Sequence, residues 1–292
     1  MWRFMVSSLI LFLLAGSVFS EDKGKETIRW LGWEQVPNFI PYGEYHGQGL
    51  GDSFTNRLQQ MLPQYNHEMV IANTRRYNQL IHEEDVCVAW AWIVPGSEDY
   101  RVHSRAVSLA PRTGIQILKS KQHLFGKPGE VLSLAKLLSN PDLTLGYLEE
   151  MSYTKKVHEL LEKYLGQNNI HFSSRSEVEF SLLMLDSNRL DYFFGFSSQT
   201  IFDAEIKDIP NKYQFYNIEE IDMFTSLHSH CSNTPFGKKV MSEINKIITT
   251  DLLMAQLAIV ERWYGKNKNY RDVFMDYVIN QNPSKLVTNP EY

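Results

Sequence analysis

The chain alternates short apolar runs of strand length with amphipathic stretches of helical period, and it does so twice. Residues 27–33, 69–72, 86–94 and 114–118 read as strands. Between the first two lies a helix capped by Asp52 or Ser53, with Phe54, Leu58, Met61 and Leu62 on one stripe. The run over 86–94 (VCVAWAWIV) lacks polar alternation, the pattern of a strand covered on both faces. A second set follows Lys127-Pro128-Gly129. It comprises a short helix over 134–138, a strand over 143–148, a helix over 154–165 closed by Gly166, a capping box of Ser176 with Glu179, and a strand over 191–196. The last third reads as helical: Thr234 caps a helix with Pro235 at its first position, and further helices run through 252–264 and near 271–279. Strands alternating with helices predict parallel sheets and an α/β class, and two such sets predict two α/β lobes.

The first twenty residues constrain location rather than fold. Arg3 precedes an apolar stretch over 5–15, interrupted by Ser7 and Ser8, and Gly16 and Val18-Phe19-Ser20 lead into Glu21-Asp22-Lys23. This order of charge, apolar core and small residues predicts a cleaved signal peptide over 1–20. The alternative is a buried N-terminal helix or a membrane anchor, but the apolar core is shorter than the ~20 residues a span needs. The expected location is therefore the periplasm. The net charge of −5, with both signs interspersed, argues against a nucleic-acid partner, which requires a concentrated basic face. The two cysteines, Cys87 and Cys231, form one disulfide in an oxidising compartment or remain two separate buried thiols; the compartment favours the bridge.

Several blocks carry a family resemblance: 28–39 (IRWLGWEQVPNF), 47–62 (GQGLGDSFTNRLQQML), 72–80 (ANTRRYNQL), 86–95, 143–161, 189–193 and 231–245 (CSNTPFGKKVMSEIN). In order and spacing they resemble family 3 periplasmic solute-binding proteins, the amino-acid-binding type, a branch of the type 2 periplasmic-binding superfamily. The resemblance implies two lobes joined by two hinge strands, with a small-molecule solute in the cleft. Lobe 1 would be 21–112 plus 226–292, and lobe 2 would be 113–225. It also puts Cys87 and Cys231 in one lobe, where a bridge closing so long a loop would contribute about 4–5 kcal/mol.

Ligands of open α/β sheets sit beyond the carboxyl ends of the strands. Trp33 ends the first strand and Glu34 follows it, while Trp90 and Trp92 fall near the end of the third. Three indoles there could line a wall for an organic ligand by stacking or cation–π contact, with Trp90 equally suited to the core. Tyr42 and Tyr45 could cover the cleft. The resemblance implies an arginine clamp for a ligand carboxylate after the third strand, a position that falls on Ser97 here; Arg101, one turn later, is expected to face solvent, and Arg76 and Arg112 are other candidates. The position implied for an acidic contact to a ligand ammonium falls near Phe196. Both markers of an α-amino-acid ligand are thus replaced. Ser152 and Tyr153, between a strand and a helix, could offer a hydroxyl and free backbone N–H groups to an anion.

No cofactor is expected. His228 and His230 lack a third ligand at metal spacing and are expected on a hinge-side strand with polar exposure. The glycines of 47–51 lack a Gly-Lys-Ser/Thr ending, so they fit a turn better than a phosphate loop. The leading expectation is a monomeric, non-catalytic binding protein acting with an ABC permease or a membrane-bound sensor. Two alternatives remain. One is a dehydratase- or lyase-type enzyme using Glu34, then Glu98, as acid or base. The other is a protein-interaction module with a degenerate cleft.

Overall fold

A computed structural model describes residues 24–33, 35–83, 85–93, 96–148, 153–167, 169–173, 178–265 and 268–281. The predicted signal peptide, Glu34, Ser152 and the predicted cap Ser176 lie outside the described residues. In chain order the elements are β1 (Thr27–Trp33), α1 (Leu50–Met61), β2 (Asn66–Ala72), α2 (Thr74–Glu83), β3 (Cys87–Ala91), β4 (Arg101–Pro111), β5 (Gly114–Leu118), α3 (Leu134–Leu138), β6 (Leu145–Leu148), α4 (Lys155–Tyr164), β7 (Ile170–Ser173), α5 (Val178–Asp186), β8 (Tyr192–Gly195), α6 (Ser197–Ile206), β9 (Tyr213–Tyr216), β10 (Phe224–Ser232), α7 (Pro235–Ile247), α8 (Thr250–Tyr264) and α9 (Lys268–Val273).

The strands form two five-stranded sheets, ordered β2-β1-β3-β10-β4 and β7-β6-β8-β5-β9. Each is the centre of one lobe. The sheets are mixed rather than parallel throughout: β10 runs antiparallel to β3 and β4, and β5 runs antiparallel to β8 and β9. The strand that returns from the other lobe enters from the opposite end, and that reverses its direction. The chain leaves the first sheet at Arg112 and comes back before Phe224. The two crossings are tied where the Arg112 amide donates to the Met223 carbonyl (3.0 Å).

Local chemistry explains the best-predicted elements. Every residue of β3 is buried, as an uninterrupted apolar run requires. Thr234 Oγ1 accepts from the Gly237 amide (3.0 Å) and Pro235 occupies the first turn of α7, where its missing N–H costs nothing. Thr154 caps α4 in the same way. The start of α1 differs from expectation. The helix begins at Leu50, and Asp52 lies inside its first turn. The buried Asp52 carboxylate accepts the amides of Ile40 (2.7 Å) and of Gly49, the N-cap (3.3 Å), so from the third helical position it both closes the helix start and pins the preceding loop to it.

The first lobe's main core gathers Trp30, Phe54, Trp90, Leu227, Val240 and Trp263 among others, under α1, α7 and α8; a smaller core of Leu31, Leu80 and Val88 lies under α2. The second lobe packs Ile117, Leu134, Leu145, Val157 and Phe194. Cys87 and Cys231 face each other in the β3–β10 register and form a disulfide with an S–S distance of 2.00 Å.

β10 directly follows the return crossing, but it lacks the expected polar exposure. It lies between β3 and β4, and His228, Ser229 and His230 are all buried. The polar atoms of His228 and Ser229 find partners within the sheet, whereas both ring nitrogens of His230 are buried without a hydrogen bond among the described residues. His228 Nδ1 and Nε2 lie 2.9 Å from Ser104 O and Ser226 Oγ respectively, and Ser229 Oγ donates to Ala89 O (2.7 Å).

Candidate functional site

β1 and β3 are parallel neighbours, so their carboxyl ends project the same way. That places Trp33 and Trp92 together, with ring centroids 6.2 Å apart in an edge-on arrangement. Tyr77 from α2 meets Trp33 edge-on at 5.2 Å, and Phe39 lies 4.9 Å from the same ring. Trp33 Nε1 donates to Gln35 Oε1 (2.5 Å), which fixes the indole's orientation. Burial pushes the Tyr77 phenol well above its ordinary range, opposed in part by the Arg101 charge. The result is a half-buried aromatic face, neutral at physiological pH, at the strand ends where a ligand of this architecture is received. Such a face suits a planar or cationic organic group.

Other predicted site residues are placed elsewhere. Trp90 is 2% exposed and belongs to the first core, so it is withdrawn from the wall. Ser97 is buried, and its Oγ lies 3.2 Å from His103 Nε2, so its hydroxyl is taken up inside the lobe. Tyr153 is buried between Tyr147 (5.5 Å), Phe194 (4.8 Å) and His158 (5.8 Å), within the second core. Phe196 is half-buried at the start of α6; its amide donates to Gln199 Oε1 (3.1 Å) and its carbonyl accepts from Gln116 Nε2 (2.9 Å). Arg76 is exposed on α2, with Nη1 donating to Gln79 Oε1 (2.8 Å). Arg112 is buried at the crossing between the lobes.

Arg101 does not face solvent. It is 2% exposed and donates to the carbonyls of Ile81 and Val86, closing the end of α2. Burial lowers its pKa to about 10. A long side chain reaching backbone acceptors across two elements leaves no mark in sequence spacing. Tyr77 is the aromatic residue that sequence reasoning missed. Its only signal was its place in the 72–80 block. Tyr45 packs away from the aromatic wall, against Phe202 and Trp263, and Tyr42 is exposed. A shallow groove of about 490 Å³ lies apart from this site, on the flank formed by Val102, Lys238, Met241 and Lys246.

No family model and no curated protein matches the chain. Solved structures do. A probable amino-acid ABC transporter extracellular-binding protein from Bacillus subtilis aligns with a TM-score of 0.61 at 15% identity, covering 83% of this chain and 99% of its own. The GluR0 ligand-binding core in complex with L-glutamate aligns with a TM-score of 0.58 at 13% identity, covering 83% and 100%. A histidine kinase sensor domain similar to periplasmic binding proteins aligns with a TM-score of 0.60 at 10% identity, covering 82% and 97%. The fold is therefore the two-lobed type 2 periplasmic-binding-protein-like fold. The three structures named are a transporter-associated binding protein, a ligand-binding core and a sensor domain. Among the described residues, no helix is long and apolar enough to cross a membrane.

Proposed function

We propose that this chain is a non-catalytic solute-binding or sensing protein of the periplasm, exported by a signal peptide over residues 1–20. Its two lobes, 21–112 with 226–292 and 113–225, close on a small organic solute. Closed-state contacts from both lobes favour the closed form, so solute shifts the population toward it, and the closed form is what a membrane partner reads. Transporter-binding proteins and sensor domains share the fold, so an ABC permease and a membrane-bound sensor are the two partner classes.

The observation that carries this reading is the Trp33–Trp92–Tyr77 group at the carboxyl ends of the first sheet. It favours a planar or cationic solute. The inward-turned Ser97 argues against a carboxylate clamp at that position, and hence against an α-amino acid. Native mass spectrometry of freshly purified protein, followed by a thermal-shift screen of aromatic and quaternary-ammonium compounds, tests it. A co-purifying small molecule, or a compound that raises Tm and quenches tryptophan emission, is expected. The absence of both a bound molecule and any Tm increase across the screen would overturn the proposal.

A further inference from the structure

Helix α6 joins β8 to β9 and so belongs to the second lobe by connection, yet its Phe202 is buried in the first lobe's core. The Phe202 ring lies 5.4 Å from Trp263 of α8 and 6.0 Å from Tyr45 in the loop before α1, and those two rings are 6.2 Å apart. Near the end of α6, Glu205 accepts from Arg262 Nη2 (3.3 Å), and its charge acts on the neighbouring Tyr45 phenol. Arg262 in turn lies over Trp263 (4.6 Å) and Tyr45 (5.7 Å) and donates to Gln48 (3.1 Å). Near the start of α6, the buried Ser198 is a neighbour of the Tyr264 phenol. Ser198, Phe202 and Glu205 are spaced four and three residues apart, so they occupy one face of the helix. That face is bound by two segments of the first lobe that lie far apart in the chain.

We infer that α6 is an interlobe latch: gripped by Tyr45, Arg262, Trp263 and Tyr264, it holds the two lobes at a set angle and must release before the cleft can open widely. Two chain crossings alone leave a clamshell free to swing about the line joining them. A third attachment away from that line removes this freedom. The buried Phe202 supplies the grip, because apolar burial is not screened by salt. The half-exposed Glu205–Arg262 pair chiefly sets the register. The residues between β1 and α1 carry both Gln35, which orients Trp33, and Tyr45, so one loop connects the aromatic wall to the latch. The inference rests on the two-lobed fold and holds whatever solute the cleft receives.

Both native cysteines are in the disulfide, so an introduced pair can be labelled alone. Met61→Cys on the first lobe and Leu165→Cys on the second replace exposed side chains outside the latch. Spin labels there report the interlobe distance in the full mature chain without added solute. The expected result is one narrow distribution for the parent, shifted and broadened by Phe202→Ala and by Glu205→Arg, which sets two cations against each other. Lys207→Glu, at the residue that ends α6 and outside the grip, should leave it unchanged. Where Phe202→Ala fails to give a cooperative melt, Glu205→Arg decides. Distributions that superimpose on the parent, a parent that is already broad, or an equal shift from Lys207→Glu would each overturn the latch.

Discussion

His103 and His230 stack face to face across the β4–β10 pair, their ring centroids 5.5 Å apart and their planes 9° from parallel. They lie inside the first lobe, next to the buried Arg101 and near His228. Ser97 Oγ contacts His103 Nε2, and the neighbouring strand β3 presents Val88 opposite His230.

This stack makes the fold sensitive to acid. Desolvation holds the pKa of both rings below the ordinary 6.5, helped for each by His228 and Arg101; Glu98 acts the other way on His103. His228 itself is lowered by burial. The unfolded chain therefore takes up protons near pH 6.5 that the folded chain refuses. Stability is fully present above that pH and declines as pH falls from 6.5 toward the lower folded values. Tm measured between pH 8 and pH 5 should drop on the acid side, and His230→Leu should flatten the slope. An equally steep decline in that variant would remove the stack as its cause.

The disulfide is sealed from solvent, with Cys87 2% and Cys231 0% exposed. Reductant should reach it only through unfolding, so the native protein should yield no free thiol to a colorimetric reagent until denaturant is added. Replacing both cysteines with serine should cost about 2–5 kcal/mol in a urea melt. A loss near zero would show that the sheet register alone holds β3 and β10 together.

Trp90 and Trp92 are two residues apart and should behave oppositely. Trp90→Ala empties part of the first core and should cost about 3–5 kcal/mol of unfolding free energy. Trp92 is half-buried beside Trp33, so Trp92→Ala should cost less while removing any solute-induced Tm increase. Comparable losses of stability would contradict the separation of core from wall.

The elements that could be read from the chain are those whose physics is local. β1 and β5 match their apolar runs residue for residue, and α7 starts where Thr234 and Pro235 place it. β4 was missed because Arg101, His103, Ser104 and Arg105 look like surface. Arg101 and Ser104 are buried and His103 and Arg105 half-buried, and carbonyls, a serine and a second imidazole meet them there. α6 was missed for a related reason. It is apolar on no single stripe, since it packs on its own lobe and on the other at once.

Sequence alone determined the alternation of strands and helices and the two-lobed class, because periodicity, caps and composition act over a few residues or over the whole chain; it favoured a bridge between the two cysteines, which the structure forms. Which indole enters the core and which stays half-buried at the strand ends, which way Ser97 and Arg101 turn, and which lobe receives Phe202 were decided by the tertiary structure. Those outcomes depend on what arrives from distant segments to cover each side chain, and no local pattern records that.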